Sequence, residues 1–344
     1  MVRGWGRRGA RRIAVDLGTA NTVVFERGVG VVSFEPSVVA VDERTGAVYA
    51  VGEEARRMIG RTPSYIRATR PLRHGVISDF DMTEQMLRYF IRGAVRGIGR
   101  RAEVMVCVPS GVTQVERTAV EEATLAAGAS RAYLIEEPRA AAIGSGLPVA
   151  ETTGSLVVDV GGGTTEIAVT ALGGIVVSES IRTGGYDLDE AIVKLLQSSQ
   201  RLLIGQEQAE DLKIAIGAAM SAGEDGVADV AGRDLGTGLL RRTTVDAASV
   251  QRALTQPLRL ILEALDRLLD RTPPELAADV SRVGVMLVGG GSLLRRFDDL
   301  VARHTGLEVT TADDPLTAVA RGAGQSLEEV DRLAPVKRRK RRSG

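Results

Sequence analysis

One motif occurs twice in this chain, at positions about half its length apart. Residues 13–19 read Ile-Ala-Val-Asp-Leu-Gly-Thr, and residues 156–164 read Leu-Val-Val-Asp-Val-Gly-Gly-Gly-Thr. Each copy is an apolar run that ends in an aspartate and a glycine turn, and a second apolar run follows. Short apolar runs on both sides of a glycine turn predict a strand–turn–strand hairpin. The sequence therefore predicts two similar halves, each containing one such hairpin.

The residue types in these hairpins suit phosphate groups. Glycine tips let backbone N–H groups approach an anion without an intervening Cβ. Asp16 and Asp159 stand at the ends of the first strands, where a carboxylate can reach a hydrated Mg²⁺ ion. An isolated Asp-x-Gly more often caps a turn. The presence of two copies favours a site in which facing hairpins hold the phosphates of a nucleotide from both sides.

Length and composition are those of a globular protein with two domains. The chain has 344 residues, of which 44% are hydrophobic, enough for two cores. Its one cysteine, Cys107, lies in an apolar run, so we expect a small buried residue, no intramolecular disulfide and a reducing cytoplasm. No apolar run reaches the roughly 18 residues that a membrane span needs.

The net charge is zero, but the two ends of the chain are basic. Eleven of the 44 Lys and Arg residues lie in an N-terminal arm, residues 1–12, and a C-terminal tail, residues 334–344; neither contains an acid. Such arms are either solvated or attracted to an anionic surface. Trp5 in the N-terminal arm favours a membrane interface. We therefore expect membrane rather than nucleic acid as the partner.

Strands and helices alternate along both halves, which predicts an α/β protein with a cleft between two domains. Residues 42–74 carry turn and loop signals instead, and about 217–237 form a variable region rich in Gly and Asp. Glu137 stands just before Pro138, where a helix is predicted to begin. A glycine run at 289–291 follows an apolar strand and precedes a predicted helix, a pattern that allows close approach to a nucleoside.

Several longer runs carry a family resemblance. They are residues 16–22 (Asp-Leu-Gly-Thr-Ala-Asn-Thr), 35–40 (Glu-Pro-Ser-Val-Val-Ala), 60–63 (Gly-Arg-Thr-Pro), 107–111 (Cys-Val-Pro-Ser-Gly), 159–166 (Asp-Val-Gly-Gly-Gly-Thr-Thr-Glu) and 273–277 (Pro-Pro-Glu-Leu-Ala). The chain resembles the actin/Hsp70/sugar-kinase superfamily of ATPases and, more closely, bacterial actins of the MreB/Mbl type, over roughly residues 12–330.

The resemblance implies an actin-like fold with two α/β domains, or four subdomains, around a nucleotide cleft. Domain I would span 13–150, with a small subdomain at about 33–70 and a returning segment at 318–333. Domain II would span 151–317, with a small subdomain at about 186–246. The implied function is an ATP-dependent filament beneath the cell membrane that guides cell-wall synthesis and cell shape. Its partners would be further copies of itself, the inner face of the membrane and cell-wall elongation proteins.

The resemblance also implies roles for individual residues. Glu137, helped by Thr164, would position the attacking water, and Asp16 and Asp159 would hold Mg²⁺ through water. The residues implied to bind ATP are Gly18, Thr19, Ala20, Asn21, Gly161, Gly162, Gly163 and Thr164 at the phosphates, and Glu210, Lys213, Gly289, Gly290 and Gly291 at the nucleoside. Without the family, Glu137 would only complement a helix dipole, and Glu210 with Lys213 would be a surface ion pair.

Some positions depart from the family pattern, and they leave other interpretations open. Tyr186 replaces a usual acid, Arg139 a Met or Thr, and Asp211 a usual Arg. The alternatives are a sugar or acetate kinase on the same fold, an Hsp70-type chaperone, and a paralogue that hydrolyses ATP poorly. The resemblance also suggests a second membrane-contacting segment, the arginine-flanked loop around Val95 and Ile98.

Overall fold

A computed structural model describes residues 11–95, 102–221 and 226–328 of the chain. The C-terminal tail, most of the N-terminal arm and Ile98 lie outside these residues, so the predictions made for them stay predictions. Val95 ends a helix and packs, partly buried, against the core of the first half. No helix within the described ranges is both long and apolar enough to cross a membrane.

The first half of the chain is organised around a five-stranded sheet. The first predicted hairpin lies in this sheet, and its leading strand also pairs in parallel with a later strand. In order across the sheet, the strands are β10 (Arg131–Glu136), β9 (Ala102–Val108), β1 (Arg11–Leu17), β2 (Asn21–Glu26) and β3 (Gly30–Pro36).

The second half contains a five-stranded sheet of the same design. In order across it, the strands are β18 (Val309–Thr311), β17 (Val285–Val288), β11 (Ser155–Val160), β12 (Thr165–Ala171) and β13 (Gly174–Ile181). In both sheets an antiparallel hairpin adjoins two parallel strands. Parallel neighbours require crossover connections, which here contain helices. The predicted repetition of one α/β plan is therefore confirmed.

Three smaller sheets lie outside the two large ones among the described residues. They are formed by β4 (Val39–Asp42), β5 (Val48–Val51) and β6 (Ile66–Thr69); by β7 (Leu72–Arg73) and β8 (Val76–Ile77); and by β14 (Leu202–Leu203), β15 (Val227–Asp234) and β16 (Leu240–Asp246). The interpretation of 42–74 as turns and loops was therefore wrong in part, and the variable region at about 217–237 contains β15. These strands are short and carry exposed polar residues, so the sequence shows no alternation of apolar and polar residues long enough to predict a strand.

Helices cover the sheets and connect the two halves. They are α1 (Glu53–Arg56), α2 (Phe80–Ala94), α3 (Gln114–Ala126), α4 (Glu137–Gly144), α5 (Gly185–Gln200), α6 (Gln206–Ile216), α7 (Ala247–Arg271), α8 (Pro274–Val283), α9 (Phe297–Thr305) and α10 (Ala318–Ser326). A short 3₁₀ helix, Gly290–Leu293, precedes α9.

Two of these helices pack together where the two halves meet. Helix α4 follows the last strand of the first sheet, and α10 follows the last strand of the second and packs on α4 and β1. The two helices meet at glycines. A Cβ on Gly144 would lie 1.8 Å from the carbonyl oxygen of Ala318, and one on Gly322 would lie 1.8 Å from that of Ala140. Only glycine allows backbones to approach so closely.

The apolar residues form separate cores with a shared middle. One cluster fills the first half around Phe90, and a larger one fills the second half around Phe297. A third cluster draws on both large sheets and on α4 and α10, and it contains Cys107. The cysteine is free and buried, as predicted.

The start of the first strand corrects the boundary of the basic arm. Strand β1 begins at Arg11, so Arg11 and Arg12 belong to the sheet. Arg11 pairs with Glu26 at 2.7 Å, and Arg12 pairs with Glu103 at 3.0 Å. Acids on the two neighbouring strands thus neutralise two charges that the sequence alone placed in a free arm.

Candidate functional site

A cavity of about 400 Å³ lies between the two hairpins, a size usual for small-molecule sites. Every residue predicted to bind or act on a nucleotide lines this cavity. These residues are Asp16, Gly18, Thr19, Ala20, Asn21, Glu137, Asp159, Gly161, Gly162, Gly163, Thr164, Glu210, Lys213, Gly289, Gly290 and Gly291. Residues from five separate stretches of sequence thus meet in one cleft.

The tips of the two hairpins touch at the floor of the cleft. A Cβ on Gly162 would lie 2.4 Å from the Cβ of Ala20, so the backbone of the second tip packs directly against Ala20 of the first. The β7–β8 turn braces them from outside: the amide of Gly75 donates to Thr19 Oγ1 at 2.9 Å, and His74 Nδ1 lies 3.1 Å from the carbonyl oxygen of Gly163. We call these tips, residues 16–21 and 159–164, together with α4 and α10, the floor.

Helix α5 is joined directly to the second tip. The backbone N–H of Gly185 donates to the Gly161 carbonyl at 2.9 Å, and that of Tyr186 donates to the Gly162 carbonyl at 2.8 Å. These bonds use amides of the first helical turn that have no partner within the helix. They fix the helix relative to the hairpin.

The glycine run after β17 forms another wall of the cavity. Gly289 has a φ of 80°, and a Cβ there would lie 2.3 Å from Asp159 Oδ1. The run therefore packs against the end of the second hairpin, and the 3₁₀ helix follows from Gly290. Because these residues carry no side chains, a ligand in the cavity can come close to their backbone, as predicted.

Buried carboxyl groups collect at the floor. Burial raises the pKa of Asp16 to about 7. Burial, with the nearby charges of Asp16 and Glu166, raises the pKa of Asp159 to about 8. Burial also raises the pKa of Glu137 well above its usual value, and the charges of Glu166, Asp16 and Asp159 act in the same direction. Without a cation, burial thus favours the protonated forms of these carboxyl groups, and a bound cation would stabilise their ionised forms.

This donor set suits a hydrated divalent cation. No group of three or more His, Cys, Asp or Glu residues could hold a metal ion directly within the described ranges. Two carboxylates with a cavity between them fit an ion that keeps most of its waters, as Mg²⁺ does.

Glu166 is a buried acid for which the sequence predicted no role. It stands opposite Asp159 in the hairpin register and is fully buried. Ser110 donates to it through its amide at 2.9 Å and its hydroxyl at 2.6 Å, and Ser180 donates from β13. Burial raises the pKa of Glu166, while these hydrogen bonds lower it. An acid within an otherwise apolar strand was the available signal.

Glu210 and Lys213 do not pair with each other among the described residues, so the surface ion pair is wrong. Lys213 Nζ lies 2.7 Å from Asp189 Oδ1, and Glu210 lies 3.2 Å from Arg56. Asp189 lines the cavity and was not predicted. Its position three and seven residues before Ile192 and Leu196 places it on the buried face of α5, which was the signal available in the sequence.

Three arginines of the first half reach across the mouth of the cleft. Arg56 pairs with Glu210, and Arg61 pairs with Glu207 at 2.7 Å. Arg70 donates to the Tyr186 hydroxyl at 2.8 Å and to Gln206 at 3.3 Å, and its guanidinium lies 4.8 Å from the Tyr186 ring centroid. We call these contacts the cross-cleft bridge. They join the region of the β4–β5–β6 sheet to α5 and α6.

The three departures from the family pattern lie in different places. Tyr186 lines the cavity and belongs to the cross-cleft bridge. Asp211 is exposed on α6, and Arg139 lies on α4; neither lines the cavity. Only Tyr186 is therefore placed to affect a ligand directly.

The fold is that of actin-like proteins. The structure of MreB5 of Spiroplasma citri bound to AMPPNP is similar, with a TM-score of 0.89 and 34% identity, covering 94% of this chain and 98% of that one. MamK, in its double helical filament, is similar with a TM-score of 0.79 and 25% identity, covering 93% of this chain and 99% of that one.

Comparison of the sequence with known proteins identifies a family within this fold. Residues 10–335 match the family described as MreB/Mbl protein. The cell shape-determining protein MreB of Escherichia coli K12 is 49% identical over 325 residues, which cover 93% of this chain and 94% of that protein. The chain belongs to the MreB/Mbl family. The kinase and Hsp70-type alternatives are thereby set aside.

Proposed function

We propose that this protein binds ATP with Mg²⁺ in the cleft, hydrolyses it, and couples hydrolysis to assembly into filaments. The filaments would lie in the cytoplasm at the inner face of the cell membrane, where they guide cell-wall synthesis and so determine cell shape. Support for the cellular role comes from the relative in Escherichia coli, named a cell shape-determining protein.

One observation carries the nucleotide part of this proposal. Two glycine-tipped hairpins from different halves of the chain meet across one cavity, with Asp16, Asp159 and Glu137 at its floor. The relative from Spiroplasma citri has this fold and binds AMPPNP. Backbone amides at the tips would hold the phosphates, and Lys213 and the 289–291 glycines would contact the nucleoside.

Hydrolysis of a phosphoanhydride needs positioning and charge stabilisation more than covalent chemistry. Asp16 and Asp159 would hold Mg²⁺ through water, and the bound ion would neutralise charge on the phosphates. Glu137, at the first position of α4 and facing the cavity, would orient the attacking water, with Thr164 beside the phosphates. The contact between the tips keeps both sets of amides in fixed positions around the same phosphate chain.

Filament formation is proposed from relatives and from the coupling that the fold allows. The actin-like relative MamK forms a double helical filament. Because the ligand cavity lies between two halves with separate cores, a nucleotide bound there contacts both. Its state can therefore change how the halves present themselves to another copy. The basic tails, the loop around Val95 and Ile98, and the cell-wall elongation proteins are the proposed membrane and protein contacts.

High-speed sedimentation of the purified protein tests this function. The protein would be spun over a concentration series with Mg-ATP, with Mg-ADP and without nucleotide. We expect pelleting above a critical concentration that depends on ATP. A protein that stays in the supernatant under every condition, with and without lipid vesicles, would contradict the filament assignment.

A substitution in the floor tests the role of Glu137. Glu137→Ala should still bind ATP but lose phosphate release by about 10²–10⁴-fold, because it removes the group that orients water. Asp211→Ala, an exposed acid outside the cavity, is the control. Unchanged turnover in Glu137→Ala would remove Glu137 from the mechanism.

A further inference from the structure

Asp189 is an acid in an apolar environment. It lies on α5 on the same face as Ile192 and Leu196, is 1% exposed, and lines the cleft. A carboxylate removed from water is costly unless a partner compensates it. The groups that face it are Lys213 and Glu210 on α6 and Arg70 from the first half.

Lys213 is the ion-pair partner of that carboxylate. Its ammonium lies 2.7 Å from Asp189 Oδ1 and donates to the Gly185 carbonyl oxygen at 3.2 Å. An ammonium group has three N–H donors. The Gly185 contact uses one of them, and the ion pair with Asp189, whose oxygens accept no regular hydrogen bond from a described residue, uses at most one more. Lys213 also lines the cavity, so at least one N–H of its ammonium remains available to an oxygen of a ligand.

The alternative role for the Asp189–Lys213 pair is to hold α5 and α6 together, and this explains the pair less well. The two helices already share one apolar cluster through Leu188, Ile192 and Leu212, and apolar residues would join them without desolvating two charges. The adjacent acid on α5 offers a contrast. Glu190 pairs with Lys194 at 2.8 Å, but these side chains are 59% and 69% exposed. The buried pair, unlike the exposed one, faces the cleft.

We propose that Asp189 is a positioning residue for the nucleotide. It holds Lys213 so that the remaining N–H of the ammonium points to an oxygen of the bound nucleotide. The inference rests on the proposed nucleotide-binding function, which it extends by one residue and one specific interaction. Asp189 itself makes no contact with the reacting atoms.

A double-mutant cycle tests this interaction. The dissociation constant of Mg-ADP would be measured by calorimetry for the full chain, Asp189→Asn, Lys213→Met and the combined variant. Each single change should weaken binding by about ten- to hundredfold, the range for a hydrogen bond to a charged group. The combined variant should bind no worse than Lys213→Met. Unchanged affinity in Asp189→Asn, or losses that multiply in the combined variant, would overturn the proposal.

Two further variants keep the test decisive. Glu190→Gln removes the neighbouring exposed acid and should bind Mg-ADP as the unmodified chain does. If Asp189→Asn fails to fold, Asp189→Leu combined with Lys213→Met replaces the pair by apolar residues of similar size and should fold. That variant should bind weakly, and full affinity would overturn the proposal.

The outcomes separate the two levels of inference. If the unmodified chain itself does not bind Mg-ADP, the proposed function fails. If it binds and Asp189→Asn binds equally well, only the role of Asp189 fails.

Discussion

The floor and the mouth of the cleft are held together by different kinds of contact. At the floor, glycines allow backbones to touch, as at Gly162 against Ala20 and at Gly322 against Ala140. At the mouth, the cross-cleft bridge consists of side chains that remain accessible, since Arg61 and Glu207 are 61% and 47% exposed. Exposed ion pairs contribute only about 0–1 kcal/mol each. The comparison indicates that the mouth opens far more easily than the floor.

The largest effect is expected from filling the space between α4 and α10. Gly322→Ala places a Cβ 1.8 Å from a backbone oxygen, so the helices must move apart. The free energy of unfolding should fall by about 3 kcal/mol or more, at the upper end of overpacking effects. Urea unfolding measures it. Gly93→Ala, on α2 with open space around it, is the matched control and should be neutral or slightly stabilising. An unchanged free energy of unfolding in Gly322→Ala would show that α4 and α10 can move apart at little cost.

The second effect is a pH dependence to which the buried acids of the floor contribute. The pKa of Asp159 is about 8, raised from its ordinary 3.8. The folded state therefore binds more protons than the unfolded state between these values, and stability falls as pH rises. The nucleotide-free protein should lose thermal stability from about pH 5 to about pH 8, and Mg-ADP should restore more of it at the higher pH.

Asp159→Asn separates this effect from others. The variant should show a flatter dependence of melting temperature on pH, because one of the carboxyl groups whose pKa is raised is gone. The bridge arginines should make no contribution, since they stay charged throughout. An equally steep profile in the variant would assign the effect to other groups.

A smaller effect is expected at the mouth. Replacing Arg56 and Arg61 together by Ala removes two ion pairs across the cleft. The dissociation rate of a fluorescent ADP analogue should rise about three- to tenfold while the unfolding free energy barely changes. Arg57→Ala is the matched control, because Arg57 pairs with Glu53 on its own side of the cleft. Equal rates in all three proteins would mean that the bridge does not limit release.

The smallest effect concerns the hydroxyl of Tyr186. Tyr186→Phe removes the hydrogen bond from Arg70 but keeps the ring beneath its guanidinium. The rate of ADP dissociation should change by about twofold or less. Tyr186→Ala, which also removes the ring, should have the larger effect. The reverse order would show that the hydrogen bond, and not the stacked ring, closes this part of the mouth.

The floor could largely be predicted from the sequence, and the mouth could not. Aspartate, glycine and threonine after a β-branched run form a local sequence signal. Both hairpins, and their positions at a cleft, could therefore be predicted from short stretches of sequence. The bridge joins Arg56 to a residue 154 positions away, and no local pattern marks such a pair. The ion-pair partners of Glu210 and Lys213 could not be predicted for the same reason. Their spacing on α6 suggested one another as partners, whereas the tertiary structure supplies Arg56 and Asp189.

The crossing of α4 and α10 has a consequence for motion. Helix α4 connects the last strand of the first large sheet to the first strand of the second, and α10, which follows the last strand of the second sheet, lies beside it at Gly144 and Gly322. Two adjacent points of attachment define an axis, and the halves can rotate about it while sliding is blocked by the touching backbones. A small rotation about this axis then moves the mouth farther than the floor, because the mouth lies farther from the axis. The distance across the cross-cleft bridge therefore increases with the angle between the halves.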